Sequence, residues 1–327
     1  MPTTDSAEAI ARHLHAARDT LLRELGRVVY GQEETLQLLI MGLLCRGHVL
    51  LMGMPGVGKT LMAATLAKAL DLEFRRIQFT PDLMPADITG TDIIEEDPAT
   101  GQRRHSFVRG PLFGNFILAD EINRTTPKTQ AALLQAMQEK EVSVGRHTYS
   151  LEPPFFVVAT QNPIENEGTY TLPEAQLDRF MFCLKVGYPT REEECAIVKG
   201  TTGGALAEIA RILSREEILT LQETVRAVPV ADDVIDYAVR LVEATRPAEG
   251  AHDLVTRYVS YGGSPRASQN LILAAKARAL LMGRFHVDFA DVQAAALPVL
   301  RHRLILNYKA RAENITADDI TAALMNP

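Results

Sequence analysis

The sequence has few aromatic residues, few cysteines and no excess of positive charge, and these shortages argue against several classes of protein. It contains no tryptophan, and aromatic residues make up only 6% of its 327 positions. Its three cysteines, Cys45, Cys183 and Cys195, are odd in number and lack the spacing of metal ligands, so we expect reduced thiols and no disulfide framework. The formal net charge of −7 argues against a broad nucleic-acid-binding surface, although it leaves room for a local basic channel.

The given sequence also has few long apolar runs. The N-terminus, Met1 to Ser6, is polar and acidic and has no apolar core of a signal peptide. The apolar run from Leu36 to Cys45 stops at Arg46, well short of the roughly 20 residues that a membrane span needs. We therefore expect a soluble, cytoplasmic protein, with about two domains at roughly 150 residues each.

What the sequence does contain is a phosphate-binding loop. Residues Gly53 to Thr60 read G-M-P-G-V-G-K-T, between the apolar run Val49 to Met52 and a helix-like segment. Glycines let successive backbone N–H groups approach phosphate oxygens without an intervening Cβ. We expect Lys59 to reach the β and γ phosphates, and Thr60 to offer its hydroxyl to Mg²⁺. Eight fitting residues between a strand and a helix favour this interpretation over a glycine-rich turn without a ligand.

Polar side chains also end two further apolar strands. Asp120 and Glu121 follow the run that starts at Asn115, and Asn162 follows the run Phe155 to Thr160. Ligands gather at the carboxyl ends of strands in an open α/β sheet. We expect Asp120 to hold Mg²⁺, mostly through water, Glu121 to act as general base toward the attacking water, and Asn162 to hold a water near the γ-phosphate. Taken alone, the acid pair fits a turn cap and Asn162 fits an Asn-Pro turn.

Two arginines are candidates for contact with nucleotide phosphates. Arg179 follows a short helix that starts at Pro173, just before the last apolar strand. An arginine supplied from a neighbour can neutralise the charge that builds on the γ-phosphate, whereas the alternative is an ordinary ion pair with Asp178 or another local acid. Arg266 lies two residues into a helix that starts at Ser264, where a cation opposes the helix dipole, and this indicates a role elsewhere.

The element pattern predicts an α/β domain followed by a helical one. Short apolar strands alternate with helices over residues 1–189, which is typical of a mostly parallel sheet covered on both faces. Residues 82–111 read as a long insertion outside the core with a possible hairpin, and 141–151 read as a second hairpin. Over residues 190–327 we find no convincing strand, and helix starts recur at Ser214, Asp232, Ser264, Asp288 and Thr316.

Together these motifs resemble those of the AAA+ ATPases. The resemblance rests on Tyr30-Gly31-Gln32, Gly53 to Thr60, Leu118 to Glu121, Thr160 to Pro163, Leu177 to Phe180 and Gly262 to Arg266. Three longer stretches resemble the MoxR subfamily more narrowly, and they are Gln78 to Gly90, Asp120 to Arg124 and Ala159 to Tyr170. The resemblance covers the chain from about Val28 to Leu304.

The resemblance implies a set of roles and cofactors. Asn162 would be sensor 1, Arg179 the arginine finger offered to an adjacent subunit, and Arg266 sensor 2 in an all-α lid, acting in cis or in trans. ATP and Mg²⁺ would bind at each subunit interface of a ring, commonly a hexamer. Segments 82–111 and 141–151 resemble the helix-2 insert and the hairpin before sensor 1. The implied nucleotide contacts are Gly31, Gln32, Gly53, Met54, Pro55, Gly56, Val57, Gly58, Lys59, Thr60 and Leu61.

The resemblance also implies a chaperone-like protein that hydrolyses ATP. It would use the resulting conformational change to remodel or mature a protein client, or to insert metal into it. Such proteins often work with a partner that carries a von Willebrand factor A domain, and because this chain has no D-x-S-x-S stretch the partner would be a separate polypeptide. A nucleic-acid motor is an alternative, and the only feature that favours it is the basic stretch Arg103-Arg104-His105. A chelatase motor subunit would share the same chemistry. A small-molecule kinase would leave Asn162, Arg179 and Arg266 without a joint purpose.

Overall fold

The computed structural model describes residues 4–96, 103–163, 169–203 and 207–325. Its helices are α1 (Thr4–Leu25), α2 (Glu33–Leu44), α3 (Lys59–Ala69), α4 (Pro85–Thr89), α5 (Pro127–Glu139), α6 (Glu174–Leu177), α7 (Arg191–Thr202), α8 (Arg215–Ala227), α9 (Asp232–Glu243), α10 (Asp253–Tyr258), α11 (Pro265–Leu281), α12 (Phe289–Leu300), α13 (Tyr308–Ala312) and α14 (Ala317–Met325). Its strands are β1 (Val49–Gly53), β2 (Phe74–Gln78), β3 (Gly90–Glu96), β4 (Arg103–Arg109), β5 (Phe116–Asp120), β6 (Glu141–Val144), β7 (His147–Ser150), β8 (Phe156–Gln161), β9 (Phe182–Val186), β10 (Val259–Tyr261) and β11 (Ile305–Leu306).

The centre of the first domain is a five-stranded sheet in the order β2-β5-β8-β1-β9, and every neighbouring pair is parallel. Successive residues of its strands are buried in two different apolar clusters: Phe116 and Leu118 belong to one, and Ile117 and Ala119 belong to the other. Because side chains alternate between the faces of a strand, both faces of the sheet are covered. The predicted parallel sheet is confirmed, and it brings the ends of β5, β8 and β1 side by side.

The second half of the described chain is helical, with one correction. The sequence showed no convincing strand after Pro189, but β10 and β11 form a two-stranded antiparallel sheet. Strands of three and two residues are too short for the alternation that marks a strand in sequence. The helix starts at Ser214 and Asp288 are confirmed, each with a capping box.

Two hairpins extend from the sheet domain, and in both of them the two predicted strands pair with each other. β3 pairs antiparallel with β4, and β6 pairs antiparallel with β7. The hairpins contact each other where Phe107 stacks on Tyr149 with ring centroids 4.2 Å apart. The prediction that segment 82–111 lies wholly outside the core is wrong, because Ile88 of α4 is fully buried in the core cluster. One buried side chain in a five-residue helix leaves no periodic signal in the sequence.

No helix in the described ranges has the length and apolar character to cross a membrane.

A buried histidine ties the sheet to α5. The Nδ1 of His48 accepts a hydrogen bond from the Val157 N–H at 3.0 Å, and its Nε2 donates to the Met137 carbonyl at 3.1 Å. Burial is the main cause that lowers the pKa of His48 from 6.5 to about 4; the charge of Lys140 acts in the same direction, and the hydrogen bond to Met137 opposes both. The fold therefore holds the neutral ring.

We expect this histidine to make the fold sensitive to acid. The folded pKa lies below the unfolded one, so the unfolded chain binds the extra proton as pH falls from 6.5 toward 4. The free energy of unfolding should fall by about 3 kcal/mol from this group over that window. Urea unfolding at several pH values measures the slope. His48→Gln removes the titration and should flatten the slope in part, since buried His302 also has a lowered pKa. An unchanged slope in that variant would contradict the assignment.

Candidate active site

The phosphate-binding loop joins β1 to α3 at the centre of the sheet. Gly56 and Gly58 both have φ +83, a conformation that residues with a side chain rarely adopt. Lys59 opens α3, and its Nζ donates to the carbonyls of Gly53 and Met54, the latter at 3.0 Å. The glycines thus let the loop turn back over the start of the helix, and the lysine amine lies against the loop.

A cavity of about 360 Å³ lies above this loop. It is lined by residues from the loop and from the ends of β5 and β8, namely Pro55, Gly56, Gly58, Lys59, Thr60, Leu61, Asp120, Glu121, Thr160 and Asn162. The structure therefore brings together the loop, both acids and Asn162, as expected for strands that end at one edge of a sheet. Of the other predicted nucleotide contacts, Gly31, Gln32, Gly53, Met54 and Val57 do not line it.

Asp120 is oriented by two neighbours. The Thr160 hydroxyl donates to its Oδ1 at 2.7 Å, and Arg76 donates to its Oδ2 through Nη2 at 2.7 Å and Nε at 3.2 Å. The Asp120 carboxylate and the Thr60 hydroxyl are both hard oxygen ligands in the same cavity, which suits Mg²⁺. Such an ion usually completes its shell with phosphate oxygens and water.

Glu121 has an unusual backbone and a well-held side chain. Its φ is 58° and its ψ is 50°, a left-handed conformation that costs about 1–3 kcal/mol and tends to occur at active sites. Its Oε2 accepts from Gln78 at 2.9 Å and from Arg124 at 3.0 Å, and its N–H donates to the Thr160 hydroxyl at 2.8 Å. Gln78, Arg124, Thr160 and Arg76 were not predicted as site residues.

Asn162 follows β8 directly and is buried where it lines the cavity. Asn162 can therefore precede Pro163 in an Asn-Pro turn and still line the cavity. The stretch Ala159 to Tyr170, which carries part of the family resemblance, includes residues 164–168, and these lie outside the described residues.

The two predicted arginines line a different cavity, of about 280 Å³. Arg46, Lys140 and Arg226 line it as well, and none of the described residues around it is an Asp or Glu. Burial and the charges of Arg46 and Arg226 lower the pKa of Lys140. Five cations thus surround one cavity that suits an anion. Arg46, Lys140 and Arg226 were missed because they lie just after α2, just after α5 and within α8, and only the fold brings these three elements together.

Among the ion pairs of the described residues, none joins Arg179 to Asp178, the first partner considered in the alternative interpretation. Within the described residues Asp178 pairs with Arg303 at 2.7 Å and with Arg266 at 3.6 Å. The Ser264 hydroxyl donates to the same carboxylate at 3.3 Å. The residue before Arg179 is therefore joined to the helix that carries Arg266.

Comparison with known proteins agrees with this geometry. Residues 48–182 match the model of the ATPase family associated with various cellular activities (AAA), and residues 251–324 match the AAA lid domain. The chain is 46% identical over 314 residues to the chaperone MoxR1 of Mycobacterium tuberculosis, covering 95% of this chain and 81% of that protein. It is 35% identical over 320 residues to the protein MoxR of Paracoccus denitrificans, covering 91% of this chain and 92% of the relative.

A solved structure has the same fold. The crystal structure of a candidate ATPase from Cytophaga hutchinsonii superposes with a TM-score of 0.91 and 41% identity, covering 98% of this chain and 97% of the other. The relatives span nearly the whole chain, and the sheet domain is followed by the expected lid. The chain belongs to the MoxR family of AAA+ ATPases.

Proposed function

We propose that this protein is a Mg²⁺-dependent ATPase that works as a ring and uses hydrolysis to remodel or mature client proteins. The observation that supports it best is the single cavity in which the phosphate-binding loop, Asp120, Glu121 and Asn162 meet. Those groups supply an anion cradle, a metal-binding acid, a base and a water-positioning amide, which are the parts that phosphoryl transfer to water requires.

In this proposal each residue has a defined task at the γ-phosphate. Bound Mg²⁺ would neutralise phosphate charge, held by Thr60 and by Asp120. Lys59 and the N–H groups of the loop bind the phosphate oxygens. Asn162 orients the attacking water, and Glu121 accepts the proton that the water loses as it attacks phosphorus. Phosphate leaves with the new oxygen, and ADP keeps the bridging oxygen.

The positions of Arg179 and Arg266 support a site that is completed between subunits. Neither lines the cavity of its own phosphate-binding loop, whereas both line the cation-rich cavity. If the nucleotide of a second subunit lay at that cavity, both arginines would be close to its phosphates. We therefore assign both residues a role in trans, in a ring that is commonly hexameric in this family.

The biological role rests on similarity. One relative is named a chaperone, and we propose the same kind of role here, in the cytoplasm, with a separate von Willebrand factor A protein as partner. The rival nucleic-acid motor gains no support from the structure, because the side chains of Arg103, Arg104 and His105 lie outside what the structure describes.

Phosphate release from ATP tests the proposal. We expect turnover that needs Mg²⁺, stops with EDTA, and falls at least about 100-fold in Lys59→Ala, because that variant loses a charge-assisted phosphate contact. Lys68→Ala, at the exposed far end of the same helix, is the matched control and should keep turnover. Turnover that survives Lys59→Ala would refute the proposed site, and strong stimulation by DNA or RNA would favour the nucleic-acid motor.

A further inference from the structure

The chain segment that carries Arg179 is held in place by the lid. The segment Asp178–Met181 lies between α6 and β9, and the turn after α12 packs against it. Arg303 lies in that turn, and only 2% of its side chain is exposed. It belongs to the second domain, yet its guanidinium is buried against the first.

All five N–H groups of this guanidinium have acceptors. Nε donates to the Asp178 carboxylate at 2.7 Å, and Nη2 donates to the carbonyls of Asp178 at 3.2 Å and Phe180 at 2.7 Å. Nη1 donates to the carbonyls of Met181 at 3.2 Å and Val299. Five donors in a rigid fork are the full capacity of an arginine. Arg303 therefore binds the backbone on both sides of Arg179 and leaves the side chain of Arg179 to the cation-rich cavity.

Neighbouring contacts extend this network without replacing it. His302 donates from Nε2 to the Phe180 carbonyl at 3.0 Å, and Arg301 donates to the Cys183 carbonyl at 2.9 Å, two residues beyond the segment. On the other side, the second oxygen of Asp178 faces Ser264 and Arg266. The segment before β9 is thus fixed to the start of α11 and to the turn that follows α12.

We propose that Arg303, through Asp178 and the carbonyls of Phe180 and Met181, is the positioning residue for Arg179. The proposal rests on the proposed function, in which Arg179 acts on the nucleotide of the next subunit. Buried Arg303 lines neither the cavity above the phosphate-binding loop nor the cation-rich cavity. It fixes the backbone from which Arg179 reaches out, and a displacement of about 1 Å at such a group can cost about 10²-fold in rate.

The first test separates positioning from binding. Arg303→Gln should lower kcat by about 10- to 100-fold and leave the affinity of each subunit for ATP within about twofold, because the phosphate-binding loop is untouched. Arg303→Lys keeps the charge but has one donor nitrogen in place of three, so it should recover only part of the rate. Arg257→Gln, which changes an exposed arginine on α10 of the lid, is the matched control, and it should stay near the parent rate. A kcat for Arg303→Gln equal to that of Arg257→Gln would overturn the proposal.

Mixed rings decide on which site Arg303 acts. Glu121→Gln subunits lack a base but offer an intact Arg179, whereas Arg179→Ala subunits have an intact base. Mixing these two must restore turnover, and if it does not, the proposed site between subunits fails. When it does, Arg303→Gln should be rescued by Glu121→Gln and not by Arg179→Ala. Rescue by Arg179→Ala, or by neither, would overturn the role of Arg303 alone.

A second variant protects the test against loss of folding. Asp178→Asn keeps an acceptor for the Nε of Arg303 but removes the charge from the ion pair, and it leaves Arg303 bonded to the backbone carbonyls. It should show a smaller fall in kcat, of about 3- to 10-fold, and the same rescue by Glu121→Gln. Rescue of Asp178→Asn by Arg179→Ala would overturn the proposal in the same way.

Discussion

Replacing Arg179 with alanine is expected to lower ATP turnover by about 10³- to 10⁵-fold, the range seen when an arginine finger is removed. The affinity of a single subunit for ATP should change little, because Arg179 does not line the cavity of its own phosphate-binding loop. The loss belongs to the transition state, in which charge spreads over the γ-phosphate of the neighbouring subunit. The other four cations of the cavity remain in the variant and can still attract an anion. We expect none of them to replace the contact of Arg179 with the γ-phosphate.

Steady-state phosphate release at saturating ATP and equilibrium binding of a fluorescent ATP analogue give the two quantities. Arg240→Ala is a suitable control, since Arg240 is an exposed arginine on α9 whose ion pair with Asp236 carries little stability. Size-exclusion chromatography must show that the Arg179→Ala protein assembles like the parent. If the assembled variant keeps its turnover, Arg179 is not the finger.

The parts of the fold that the sequence predicts are those with local signals. The loop Gly53 to Thr60 carries its glycines, lysine and threonine within eight residues. Helix α8 begins after Ser214, at the predicted start, with a capping box to Glu217, and α5 begins with Pro127 directly after Thr126. In each case the interaction that fixes the structure joins residues close in sequence, so one stretch contains all the information.

The parts that escaped prediction depend on contacts between distant residues. Gln78 reaches Glu121 only because β2 lies beside β5, and Arg303 reaches Asp178 only because the lid folds back on β9. No local pattern encodes the strand order, and an arginine after a helix looks like any surface residue. For the same reason the sequence predicted Arg179 and Arg266 separately, and the structure adds that they share one cavity.

Replacing Glu121 with glutamine is expected to lower turnover by about 10²- to 10⁴-fold, the usual contribution of a positioned general base. Glutamine has nearly the same shape, and its amide oxygen can still accept from Gln78 and Arg124, so the backbone of Glu121 should keep its left-handed conformation. The amide cannot take a proton from water. Binding is therefore preserved while the chemical step stops, and the variant should retain bound ATP through gel filtration, whereas Lys59→Ala should elute empty.

Glu139→Gln makes the same chemical change at the exposed end of α5 and should hydrolyse ATP at the parent rate. The identity of the nucleotide bound to Glu121→Gln distinguishes two outcomes. Bound ATP would place the defect after binding, whereas bound ADP would mean that hydrolysis continues. An unchanged rate in Glu121→Gln would end its assignment as base. Gln78 would then hold a carboxylate whose task is structural, and the strained backbone at position 121 would need another cause.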